Sequence, residues 1–165
     1  MGQSYIIVNL TKRKYFDPSR VSGATKLQEI TGAGISPSLS MTALAMLLAN
    51  SGPGGGGDFQ DSMEDKLYGS WAGDKIVFAG DYGEEFTVDG DPLYDYAHEN
   101  FTDISVDVVE LLLQDFDLFV RFSEMFEKGF WSKEVDEEIF NLIRHYVVDD
   151  SDDDSDDDSD DNGEW

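Results

Sequence analysis

Lys75-Ile76-Val77-Phe78-Ala79-Gly80-Asp81-Tyr82-Gly83-Glu84-Glu85-Phe86-Thr87-Val88 is the stretch on which the fold class turns. Its first five residues are the clearest strand of the chain, a β-branched and aromatic run bounded by Gly73 and Gly80. Residues 85–88 read as a return strand across the turn Asp81-Tyr82-Gly83-Glu84, which makes a hairpin. A hairpin between sequence neighbours, in place of alternating βαβ units, points to antiparallel pairing and an α+β fold.

Towards the N-terminus, Ser4-Tyr5-Ile6-Ile7-Val8 has the length and composition of a buried strand. Residues 11–18 follow as a loop or second strand, ended by the Asp17-Pro18 breaker. A short helix is predicted over residues 24–30, stopped by Gly32 and Gly34. Ser36-Pro37 supplies an N-cap with proline at the first helical position. The run from Leu39 to Leu48 is apolar nearly all the way round, the mark of a buried central helix.

Towards the C-terminus the hydrophobic period becomes helical at Ile104. Ile104, Val108, Leu111, Leu112, Phe119, Phe122 and Phe126 share one stripe, with a break near Asp115 and an end at Gly129. Ser132 is the predicted cap of a last helix whose stripe is Val135, Ile139, Leu142, Ile143 and Tyr146. The expectation is a small antiparallel sheet packed by helices, a helical C-terminal half and a disordered acidic tail. One domain over residues 1–148 and a tail over 149–165 complete it.

The 165 residues carry 36 acids against 11 bases, a net charge of −25. A hydrophobic content of 40% with 13% aromatics is enough for a core, which excludes wholesale disorder. The absence of cysteine excludes a disulfide framework and a thiolate nucleophile. The opening Met1-Gly2-Gln3-Ser4 lacks a signal-peptide pattern, and no run of about 20 apolar residues is present. An intracellular protein of cytoplasm or nucleus, neither secreted nor membrane-bound, is the expectation.

The charge is unevenly spread. Residues 1–57 hold five bases and two acids, residues 58–148 six bases and 23 acids, and residues 149–165 eleven acids and no base. The tail reads Asp149-Asp150-Ser151-Asp152-Asp153-Asp154-Ser155-Asp156-Asp157-Asp158 and continues in kind to Trp165. Such density of like charge brings no apolar surface to bury, so disorder is predicted. It repels nucleic acid, whose phosphates call for Lys and Arg, so direct binding to DNA or RNA is not expected. A basic protein or polycation is the complementary partner. Solvation alone is the other reading of the same tail. Ser151 and Ser155 each precede three aspartates, an acidophilic-kinase pattern, and phosphate there adds about −1.5 to −2 charges per site.

Asp81, Glu84, Asp89 and Asp91, with Glu85 and Asp95 nearby, are candidate oxygen ligands for calcium or magnesium, though the EF-hand spacing is missing. His98 beside them would give a small metal-dependent enzyme, the alternative to a binding protein. His98 and His145 otherwise read as boundary packing, since no hydrolase motif surrounds either one. Phe119, Phe122, Phe126 and Trp131, flanked by Phe116 and Phe130, form either a docking face or internal core. The glycines from Gly52 to Gly57 lack the Lys-Ser or Lys-Thr of a phosphate loop and read as a linker. Lys12-Arg13-Lys14 is expected to pair with the chain's own acids.

Two stretches resemble a widespread group of small uncharacterised proteins. One is Tyr5-Ile6-Ile7-Val8-Asn9-Leu10-Thr11-Lys12 with Tyr15-Phe16-Asp17-Pro18. The other is Gly69-Ser70-Trp71-Ala72-Gly73-Asp74-Lys75-Ile76-Val77-Phe78-Ala79-Gly80-Asp81-Tyr82. The resemblance covers about the first hundred residues and implies that the two segments form one module; it implies no activity, cofactor or catalytic residue. The first functional expectation is therefore a non-enzymatic acidic protein engaging a basic partner, of nucleic-acid-mimic or histone-binding type. A protein whose acidity serves solubility only is the third reading.

Overall fold

A computed structural model describes residues 2–33, 38–52, 54, 56–59 and 66–149. Strand β1 (Tyr5–Asn9) lies at the centre of a sheet, and Ile6, Ile7, Val8 and Asn9 are fully buried. A strand apolar on both faces needs a partner on each edge. On one side β2 (Lys14–Phe16) returns antiparallel, with Ile7 opposite Phe16. On the other, β3 (Ile76–Gly80) runs antiparallel, with Tyr5 opposite Gly80 and Asn9 opposite Ile76. The two stretches quoted for the resemblance thus lie side by side.

The fold is α+β, a small sheet packed by helices with a helical C-terminal half, as expected. The sheet is antiparallel at β1–β2 and β1–β3 and is made mixed by one short parallel strand. A short strand, Thr102–Asp103, pairs parallel to β2, giving the order β3, β1, β2 and then this strand. The hairpin expected over residues 75–88 also does not form. Its return strand is β4 (Thr87–Val88), which pairs with β5 (Asp91–Pro92) across Asp89 and Gly90, at φ 52° and 92°. Two central residues at positive φ suit a tight two-residue turn, and Asp-Gly was its signal. The apolar β3 goes instead where burial is greatest, against β1. In chain order the Thr102–Asp103 strand is β6.

Asp17-Pro18 ends β2, as expected, and in addition begins a helix. The Asp17 side chain accepts from Ser19 N–H and Pro18 opens α1 (Pro18–Ser22), where its missing N–H costs nothing. Helix α2 (Leu27–Thr31) has the Glu29 carboxylate accepting from the N–H groups of Thr25 and Lys26. Helix α3 (Leu39–Leu48) buries Leu39, Ser40, Ala43, Leu44, Met46 and Leu47, while Ala45 and Leu48 stay exposed. It starts after Ser38; Ser36 and Pro37 lie outside the described residues. Its last carbonyls are met by Gly69 N–H on Met46 O and Trp71 N–H on Leu47 O. Helix α4 (Leu93–Asn100) was not foreseen.

The break near Asp115 is real. It separates α5 (Ser105–Leu113) from α6 (Phe116–Glu127), and Asp115 caps α6 by accepting from Leu118 N–H at 3.1 Å. Helix α7 (Glu137–Asp149) is capped by Asp136, not Ser132: Asp136 Oδ1 accepts from Ile139 N–H at 3.2 Å. Ser132 sits a turn earlier, and Val135 is 86% exposed and off the stripe, whereas Ile139 and Ile143 are fully buried.

Alternation along the strands sends side chains to two cores. Ile7 and Phe16 face the larger one, with Trp71, α3, α5 and the inner sides of α6 and α7. Ile6, Val8, Tyr15 and Ala79 face the smaller one, covered by Leu93 and Ala97 of α4. No helix among the described residues is long and apolar enough to cross a membrane.

Candidate functional site

The acidic segment after β3 divides by role. Asp81 ends the sheet: its Oδ1 accepts from Ser4 N–H, and its own N–H donates to Ser4 O, both at 2.9 Å. Asp89 occupies the β4–β5 turn, and its Oδ2 accepts from the Tyr96 hydroxyl at 2.9 Å. Glu84 and Asp91 stand on the exposed surface. Asp91, Asp95 and His98 share a recess of about 290 Å³, and Asp81 and Asp89 are not in its lining. Among the described residues no three of His, Asp and Glu are gathered so as to hold a metal ion.

His98 is built into an aromatic stack. Its ring lies 4.5 Å from Tyr94 and 5.1 Å from Tyr15, and its Nδ1 is 2.8 Å from Tyr94 O. Burial, with Asp103 and Asp17 adding to it, pushes the Tyr15 phenol up to about 12, so it stays neutral.

The aromatic series splits. Phe122 and Trp131 are interior, stacked at 5.2 Å, and so are not available to a partner. Phe126 rests on Phe140 at 5.2 Å, and Phe119 is half-buried against the core. Only the flanking Phe116 and Phe130 are largely exposed, at 60% and 63%. Asp149 is the last residue of α7. The tail candidates Asp150, Ser151, Asp152, Asp153, Asp154, Ser155, Asp156, Asp157 and Asp158 lie outside the described residues.

Several cations are tied to groups of the chain itself. Lys12 pairs with Asp74 and donates to Ser70 O at 2.6 Å, beside Asn9, whose Nδ2 also reaches Asp74. Arg13 lies over the Phe101 ring at 4.9 Å. Arg20, which the sequence did not single out, joins three elements. It holds Asp136 with Nε and Nη2 at 2.6 and 3.2 Å, Asp103 at 3.0 Å and Glu138 at 3.0 Å. Burial pushes the Asp136 carboxyl up, but Arg20 and two backbone N–H groups outweigh it and hold it below the usual range. The acids that Arg20 meets are far away in sequence, so no local pattern marks it.

Two larger hollows remain. One, of about 660 Å³, lies between α2, the start of α3 and α6, with Leu39, Met125 and Phe130 in its lining. The other, of about 530 Å³, runs beside β3 and is lined by Val77, Ala79, Tyr82, Phe86, Leu93 and Tyr94 among others. No family model, curated protein or solved structure matches this chain.

Proposed function

We propose that this chain is a non-enzymatic acidic interaction protein that engages a basic protein partner, histone-like or nucleic-acid-binding in its surface chemistry. One observation carries the reading: acids outnumber bases 36 to 11, and many of the acids stand in solvent. The net charge is −25, and Lys12, Arg20 and Lys133 are already held by the chain's own carboxylates. Glu84, Glu85, Asp91 and Asp95 face solvent, and Asp149 leads into a segment with no base at all. Such a field attracts a polycation over a salt-dependent range and disfavours phosphate backbones.

The test is binding of full-length protein to a labelled core histone or to polylysine at about 50 mM and 500 mM salt. Affinity is expected to fall at least about tenfold between them. Replacing Asp152, Asp153, Asp154, Asp156, Asp157 and Asp158 with asparagine is expected to weaken binding at low salt. Binding that ignores salt, or none at low salt, overturns the proposal.

A further inference from the structure

We propose that the outer edge of β3 is a strand-addition site for an extended, basic segment of a partner protein. The inference rests on the acidic-interaction reading and names the place where the partner's backbone docks. β3 is the end strand of its sheet, and among the described residues only β1 pairs with it.

Two backbone bonds fix which polar groups face outward. Leu10 N–H donates to Lys75 O, and Asp81 N–H donates to Ser4 O. Those two pairs are in register with Val8 opposite Val77 and Ile6 opposite Ala79, so residues 75, 77, 79 and 81 turn their polar groups towards β1. Ile76, Phe78 and Gly80 therefore point theirs the other way. Gly80 O accepts from Gly83 N–H, which leaves Ile76 and Phe78 to present donor and acceptor along the open edge.

Natural edges are blunted by proline, bulges or charged side chains. Ile76-Val77-Phe78-Ala79-Gly80 carries no proline and no charge. Beside it runs the groove of about 530 Å³, floored by Val77 and Ala79 and walled by Phe86 and Leu93. Tyr82 and Phe86 are 61% and 51% exposed at its lip. This is the geometry of β-strand addition: main-chain bonds supply affinity, and a groove receives every second side chain.

Charge selects the occupant. Asp81, Glu84 and Glu85 stand exposed at the Gly80 end of the edge, against Lys75 at the other. A second copy of this chain would bring a further −25 to the contact, so edge-to-edge self-pairing is opposed. A segment alternating apolar and basic residues suits both features. Its apolar side chains enter the groove, and Lys or Arg at one end meets Asp81, Glu84 and Glu85.

The experiment uses the full chain and a labelled peptide of alternating lysine and valine at low salt. Its counterpart has the same charge and is N-methylated at the central amides, so it cannot form a ladder. The expected result is at least about tenfold weaker binding of the methylated peptide. With the unmethylated peptide, amide exchange is expected to slow at Ile76 and Phe78. Glu84→Gln with Glu85→Gln should weaken the unmethylated peptide while leaving the fold intact. Equal affinity for both peptides, with exchange at Ile76 and Phe78 unchanged, overturns the edge site and leaves the acidic reading standing. No binding of either peptide at low salt overturns the acidic reading and the edge site with it.

Discussion

Arg20 does with one side chain what the sheet and helices cannot do by apolar packing alone. It ties α1 to β6 through Asp103 and to the start of α7 through Asp136 and Glu138. Its fork on Asp136 is bidentate, a geometry an ammonium cannot copy. Arg20→Ala leaves partly buried carboxylates unmatched and is expected to cost about 2–4 kcal/mol in urea unfolding. Arg20→Lys should recover less than half of that; full recovery would reduce the site to a point charge. Gly69 is a second position of this kind, at φ 72° with a built Cβ 2.5 Å from Ala49 O. Gly69→Ala adds a left-handed strain and a backbone clash, so a loss on the order of 1–3 kcal/mol is expected in thermal melts. A stability equal to wild type would show that the link holding the α3 terminus can shift.

At the scale of the element, the aromatic stripe of α6 makes the sharpest forecast. Phe122→Ala opens a cavity in the larger core and should cost about 3–5 kcal/mol, while Phe116→Ala on the exposed face should stay within about 0.5 kcal/mol. Chemical denaturation of both variants checks it, and similar losses would mean that Phe116 is covered in solution. Periodicity made this stripe legible, together with the central helix α3, strands β1 and β3 and the break that Asp115 caps. Pairing was not legible. The partner of β3 is β1, far away in sequence, because burial on both faces of β1 outranks the nearby turn. Two local signals carry more than one meaning. Asp17-Pro18 is a helix start as well as a breaker, and Asp89-Gly90 marks a tighter hairpin than the one expected. Of the candidate site, exposed Glu84 and Asp91 were readable from composition. The open backbone of Ile76 and Phe78 was not, since sheet order decides it.

Over the whole molecule, charge acts on folding and on binding with opposite signs. The net charge of −25 resists compaction, so screening it should stabilise the fold. Added salt shortens the Debye length from about 30 Å at 0.01 M to about 8 Å at 0.15 M. The half-buried Arg20 pairs are screened less than the exposed acids, which decides the net direction: the melting temperature at pH 7 rises with salt. Acid supplies the complementary lever. The Asp136 carboxyl is held low against its burial by Arg20, and that of Asp74 by Lys12 and Asn9. A carboxyl lower in the folded than in the unfolded chain stabilises above its unfolded value, about 3.9, and loses that as pH falls through the folded one. The share of stability owed to these two carboxyls should therefore hold from pH 7 to about pH 4 and be lost below it, while relief of the net charge acts in the opposite sense. Asp136→Asn isolates the first effect by lowering stability at pH 7 and flattening the acid limb relative to wild type. One salt titration at pH 7 then separates folding from recognition. Melting temperature should climb over the same range in which affinity for a lysine-rich probe drops. If both climb, the partner is held by apolar contact; if both drop, internal ion pairs dominate the fold and the acidic surface is not the strained element.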